Sequence, residues 1–209
     1  GGGYGRPAPR QPHSGAVLMP ALTLPEPVRI TNVQPFLRDF GGVLTPFLGG
    51  EELRLNRIGM RLGARFTLAP CVYSGTGQAI VSRLMQAKAS RIIVPFPQPG
   101  FDPGAPGAPL VASAASGGTS LHVKSLSPGY AFAEGQFINL IRAADSRRYL
   151  HATSTPATAD GSGKVTLSLF PPMRVTFAVN DQIDVVTPMI EGHVLPGYEL
   201  NWDISLAHH

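Results

Sequence analysis

Four arginines, Arg54, Arg57, Arg61 and Arg65, recur at spacings of three and four residues. Each guanidinium offers a fixed fork of N–H donors that suits carboxylate and phosphate oxygens. Such a cluster serves as a solvated face, as a subunit contact, or as a lining for nucleic-acid phosphates. No interleaved aromatics or reading motif accompany it, so no specific nucleic-acid binding is expected. Ser74-Gly75-Thr76-Gly77 superficially offers amides to a phosphate. It lacks the Lys-Ser/Thr of a P-loop and the three-glycine spacing of a dinucleotide fingerprint, and reads as a turn with Thr76 as helix N-cap. Cys71, flanked by Pro70, Val72 and Tyr73, reads as a small buried hydrophobe on a strand. The histidines His13, His122, His151, His193, His208 and His209 show no HExxH or HxH ligand spacing. There is no GxSxG elbow. Asp160 and Asp181 fall in turns, where a carboxylate bonds its own backbone. A glycosidase-type carboxylate pair stays open at this level, but nothing demands an enzyme, a metal or a cofactor, and none is expected.

The elements that must position these residues are mostly strands. The chain has 209 residues with 24 Gly and 21 Pro, which excludes a long helical bundle or coiled coil. Hydrophobic residues at 43% and charged ones at 14% allow a substantial core. Single Cys71 precludes an internal disulfide or CxxC zinc staple. Fourteen arginines dominate the basic residues, and the net charge of +4 divides unevenly, +6 over 1–107 and −2 over 108–209. The uncharged run Pro103–Val123 is long enough to span a membrane but is filled with Pro, Gly, Ser and Ala, so no membrane insertion is expected. Arg6 and Arg10 ahead of Ala16–Leu24 resemble a signal peptide only faintly, because Pro20 and Pro25 break the apolar run.

Residues 1–27, with five Gly and six Pro, read as a flexible arm. From Val28 to residue 107 a first β unit is expected, with strand-like runs at Val28–Phe36, Leu53–Ile58 and Phe66–Val72. Ile80, Val81, Leu84 and Met85 predict one helix near 77–89. Arg91–Val94 follows as a buried strand, and the proline density of 95–109 reads as a linker. Residues 108–188 predict a small β barrel of five strands at Leu121–Val123, Phe137–Ile141, Tyr149–His151, Val165–Leu169 and Ile183–Val186. Tyr198, Leu200, Trp202 and Ile204 alternate on one face, so 189–209 is expected to hold a C-terminal strand that returns to the first unit, making 108–188 an insertion.

That second block carries Ser127-Pro128-Gly129, Glu134-Gly135, Thr158-Ala159-Asp160-Gly161-Ser162-Gly163 and Pro171-Pro172-Met173-Arg174 in order between Gly118 and Arg174. It resembles the G-ATADGSG-A-L-PPLR module of distal tail and related tail-tip proteins of bacteriophages. The first block is similar to such proteins in layout, and the long Pro-rich arm departs from their usual pattern. The resemblance implies a mostly β protein with one α-helix, in which a split β-barrel or sandwich belt-type domain is interrupted by a small OB-like or sandwich-like barrel. It implies a virion protein at the tail tip, a hexameric homo-oligomeric ring whose partners are the tail tube protein and tail-tip or baseplate hub proteins. Arg54, Arg57, Arg61 and Arg65 would then face a neighbouring subunit or the lumen through which DNA passes. The alternative is a carbohydrate-binding module recognising a host surface polysaccharide, which would need exposed aromatics among Tyr130, Phe132, Phe137, Tyr149, Phe170 and Phe177. A cell-wall-degrading enzyme is a third reading, for which no nucleophile, metal set or acid pair stands out.

Overall fold

The computed structural model describes residues 21–202 except Pro27, Asn56, Ile58, Pro196 and Tyr198. Most of the expected arm therefore lies outside the described residues. The protein is mostly β, with one regular α-helix. The elements in chain order are β1 (Leu22–Thr23), β2 (Ile30–Arg38), β3 (Gly42–Leu44), β4 (Leu53–Leu55), β5 (Arg61–Leu68), α1 (Gln78–Gln86), β6 (Ile92–Pro95), β7 (Gly107–Val111), β8 (Ala115–Leu126), β9 (Ala131–Phe132), β10 (Phe137–Arg142), β11 (Arg147–Thr153), β12 (Ala157–Thr158), β13 (Val165–Phe177), β14 (Gln182–Asp184) and β15 (Met189–Gly192).

Six strands close an antiparallel barrel in the order β10-β11-β13-β8-β7-β14, β14 pairing back to β10. Period-2 alternation sets its inside: Leu121 and Val123 of β8 and Leu167, Leu169 and Met173 of β13 are buried. Phe132, Ile138, Leu140 and Phe177 complete the core. Closure leaves no free edge to cap. An OB fold has five strands, so the six-stranded closure departs from the OB-like expectation. All five predicted barrel strands are present; β7 was hidden inside the Pro-rich stretch 95–109 and supplies the sixth. Asp160 accepts amide bonds from Ser162 (2.8 Å) and Lys164 (2.9 Å), and buried Asp181 accepts from Ala143 (3.0 Å) and Ala178 (2.8 Å), so both carboxylates hold turns as expected.

A second, smaller core surrounds a three-stranded sheet, β1-β6-β15, with β1 parallel and β15 antiparallel to β6. Ala87, Ile92 and Val94 are its buried centre, packed by Leu22, Ile30, Phe66, Leu84 and Ile190. The chain thus leaves this sheet at β6, builds the barrel, and returns at β15. The returning strand is Met189–Gly192, earlier than expected. Within the predicted strand Tyr198–Ile204, the described residues Glu199–Trp202 carry no strand. Both edges of β6 are already taken by β1 and β15, which leaves that segment no place beside it.

Two other local expectations are corrected. Thr76 does not cap α1: the N-cap is Gly77, with no side-chain cap bond, and a Cβ there would meet the Val72 carbonyl at 2.7 Å. Cys71 is exposed and lies off any strand, because β5 ends at Leu68 ahead of Pro70.

The ADGSG turn offers a clean test of the barrel. Gly163 has φ +69° and a Cβ there would lie 2.1 Å from the Leu126 carbonyl oxygen, whereas a Cβ on Gly161 meets nothing within 4 Å. Gly163→Ala is expected to destabilise by more than about 1 kcal/mol, from left-handed strain plus the clash, and Gly161→Ala by clearly less. Urea unfolding midpoints of the two variants check this.

Candidate functional site

β2 and β5 form a long two-stranded ribbon whose continuation, β3 paired with β4, carries it to a tip loop. The register Val33↔Phe66, Pro35↔Ala64, Leu37↔Leu62 puts apolar side chains on one face. The register Gln34↔Arg65, Phe36↔Gly63, Arg38↔Arg61 makes the other face cationic. On that face the Phe36 ring covers Gly63, where a Cβ would meet it at 2.4 Å. Arg38 and Arg61 stand directly opposite each other, a like-charge pair that disfavours the isolated ribbon.

Arg61 lies over the Phe40 ring, 5.2 Å from its centroid. Arg65 donates across the ribbon to the Gln34 side-chain carbonyl at 3.4 Å. Arg54 sits apart on β4 opposite Val43 and donates to Asp39 at 3.2 Å, an exposed ion pair worth at most about 1 kcal/mol. Arg57 is exposed in the connection between β4 and β5. Arg61 and Arg65 therefore share a face with Arg38, while Arg54 does not belong to that row. Arg38 was missed as a site residue, although strand pairing with Arg61 is what makes it a member.

The apolar side chains at the distal end were missed too. Val43, Leu44, Leu53 and Leu55 are exposed on both faces, and at the tip Phe47 is 102% and Leu48 93% exposed. Two large hydrophobes between Pro46 and Gly49-Gly50 are a local signal, because turns ordinarily carry polar residues there. A two-stranded ribbon is at best marginal in water, and this one exposes large apolar side chains on both faces.

Midway along its length, where the β2–β5 ladder gives way to β3–β4, the ribbon meets the barrel. Met60, Arg61 and Leu62 and the barrel residues Tyr149, His151 and Arg174 line a cleft of about 40 Å³. That volume admits a water or a carboxylate end, not an organic substrate, whose pockets run to about 300–1,000 Å³. Arg174 lies 6.0 Å from the Tyr149 centroid. Burial, and then the positive charge of Arg61, pull its guanidinium below the usual arginine range. The one carboxylate in the lining, Glu191, is engaged by Arg91 and by the Arg148 amide at 2.8 Å. A separate, open groove of about 350 Å³ runs along the barrel wall past His122, Asp160, Lys164 and Thr166, with no aromatic in its lining. Among the described residues, no three or more His, Cys, Asp or Glu group to hold a metal ion. Nor is any described helix long and apolar enough to cross a membrane.

No protein-family model matches the chain. No curated protein matches it either.

His151 behind the cleft is a pH reporter for this junction. It is 4% exposed, and its Nδ1–H donates to the Pro171 carbonyl at 2.8 Å. Burial, the larger cause, and the charge of Arg174 pull its pKa from 6.5 to about 4, against the Pro171 bond, which raises it. The folded state therefore favours the neutral ring. Its contribution is fully present above pH ~6.5 and is lost as pH falls through about 4, amounting to roughly 3 kcal/mol. Denaturant titrations at stepped pH should show this loss, and His151→Asn, which can keep a donor near the Pro171 carbonyl, should flatten it.

Proposed function

We propose that this chain is a structural virion protein, a distal tail ring that joins the tail tube of a bacteriophage to its tail tip or baseplate. The observation that carries this reading is the ribbon: an extension with apolar side chains on both faces and a row of arginines, incomplete in a lone subunit. A subunit whose exposed element needs a neighbour is a subunit built to assemble. The barrel placed between β6 and β15 fits a belt-type body with an inserted domain, and the ADGSG and PPMR segments that carry the resemblance lie in that barrel. A hexameric ring would bring ribbons of successive copies together, with the tail tube and hub proteins above and below. Arginines left facing the lumen would meet passing DNA through its phosphates alone.

The carbohydrate-binding reading draws less support. Phe132 and Phe177 are buried, Tyr130 and Tyr149 pack against the barrel core, and Phe137 stacks on Phe96 with centroids 4.6 Å apart. Phe170 alone of the six is strongly exposed, at 42%. One ring does not make a sugar platform.

Light scattering behind a sizing column, over a range of concentrations, should find a discrete ring-sized species. Phe47→Ser with Leu48→Ser should weaken association at least tenfold while leaving the thermal midpoint of the monomer unchanged, because neither side chain is covered in the lone subunit. A wild-type chain that stays monomeric at every concentration and also fails to bind tail tubes would count against the assembly reading.

A further inference from the structure

The tip of the ribbon and the cleft at its middle are opposite in character, one carrying free carboxylates and the other arginines. We propose that in the assembly the tip loop of one subunit docks at the arginine cleft of the next, with one tip-loop carboxylate, that of Glu51 or Glu52, seated against Arg61 and Arg174. This rests on the assembly reading above and names the contact that would make it.

The acceptor cleft is cationic and short of anions. Arg61 and Arg174 lie close enough for the charge of one to disfavour the charge of the other. Among the described residues neither guanidinium forms an ion pair. Each lies against a ring face instead, Arg61 over Phe40 and Arg174 over Tyr149. Arg148, in the same lining, holds its Nη1 buried without a hydrogen bond, 3.6 Å from Asp184. Glu191 is occupied by Arg91 and the Arg148 amide, and His151 is neutral, so no carboxylate among the described residues pairs with either arginine. A cleft of about 40 Å³ takes the oxygens of one carboxylate and excludes anything larger than the end of a side chain.

The donor end supplies those oxygens. Glu51 and Glu52 close the tip loop beside Phe47 and Leu48 and are exposed. Neither forms an ion pair among the described residues, and Glu52 accepts only an exposed bond from the Thr45 hydroxyl at 3.3 Å. The third acidic residue of the ribbon, Asp39, is already bound to Arg54. No tip residue lines the cleft of its own chain. The contact is therefore between different patches of successive copies, a head-to-tail interface that closes into a ring or runs on as a fibre. Desolvation by Phe47 and Leu48 beside the charges strengthens the pairing over an exposed one.

Charge exchange in the full-length chain tests this. R61E/R174E and E51R/E52R should each reduce association at least tenfold by light scattering, with thermal midpoints reporting that each monomer still folds; R61Q/R174Q serves if the reversal at the cleft unfolds the chain. Mixed one to one, the two reversed variants present arginine tips to glutamate clefts and glutamate tips to arginine clefts, so the mixture should assemble to within about threefold of wild type. Normal assembly of either reversed variant alone, or failure of the mixture when both components are folded, overturns the proposal while leaving a wild-type ring intact. Salt-sensitive retention of a duplex DNA oligonucleotide that is lost in R61E/R174E, with assembly unchanged, overturns it in favour of phosphate binding. A wild-type monomer at all concentrations and on tail tubes removes the assembly reading itself.

Discussion

One buried amide holds the two cores of this protein in register. Asn139 is wholly enclosed, and its side chain donates to the Met189 carbonyl at 2.7 Å while accepting the Met189 amide. It behaves as a short piece of strand. β10 cannot offer its own backbone there, since both its edges are taken by β11 and β14. Gln98 repeats the device in the Pro-rich connection, giving and receiving one bond each with the Phe137 backbone at 3.2 and 2.7 Å. An unmet buried amide costs about 1–3 kcal/mol, so the barrel and the small sheet are stable together only in the one placement that satisfies both. The ribbon base, the cleft and Arg174 inherit their geometry from that placement.

Beyond this joint the molecule is unevenly finished. The barrel core, from Val111 to Val185, is enclosed on all sides by the six-stranded closure. Past Phe66, whose ring packs into the small core, the ribbon is supported only where Met60–Leu62 lie against the barrel. Its outer half is held by a ladder between strands and by contacts such as Phe36 over Gly63 and Arg61 over Phe40. Binding to the folded form alone raises apparent stability by mass action, so any partner that covered this outer half would order it as it bound.

What the sequence made legible follows from range. The barrel strands from Leu121 to Val185 were readable because alternation is local and each strand has a buried face. The helix was readable for the same reason, with Ile80 and Leu84 on its inner side. β7 was not, because Pro103, Pro106 and Pro109 mask a strand that needs a barrel edge to exist. The return at Met189–Gly192 was missed because four residues carry too little period, and because the alternation of Tyr198–Ile204 looked better than the available edges allowed. Arg54, Arg57, Arg61 and Arg65 were found by type. Their division between β4, its connector and β5, and the arrival of Arg38 and Arg174 beside Arg61, depend on pairings across 23 and 113 positions, which no local pattern contains.

The stems of the barrel have a consequence for how such proteins diversify. The Phe96 amide bonds to the Pro188 carbonyl at 2.9 Å, and Pro95 lies opposite Met189 in the ladder. The chain departs and comes back one strand spacing apart, like the two wires of a socket. A module whose own termini meet at that spacing can be joined there without breaking the β1-β6-β15 sheet, provided it supplies the equivalents of Asn139 and Phe137 and a wall for Met60–Leu62 to rest on. What can be exchanged at the socket is therefore a module with a defined inner wall, and only the surface it turns away from the joint is free to change.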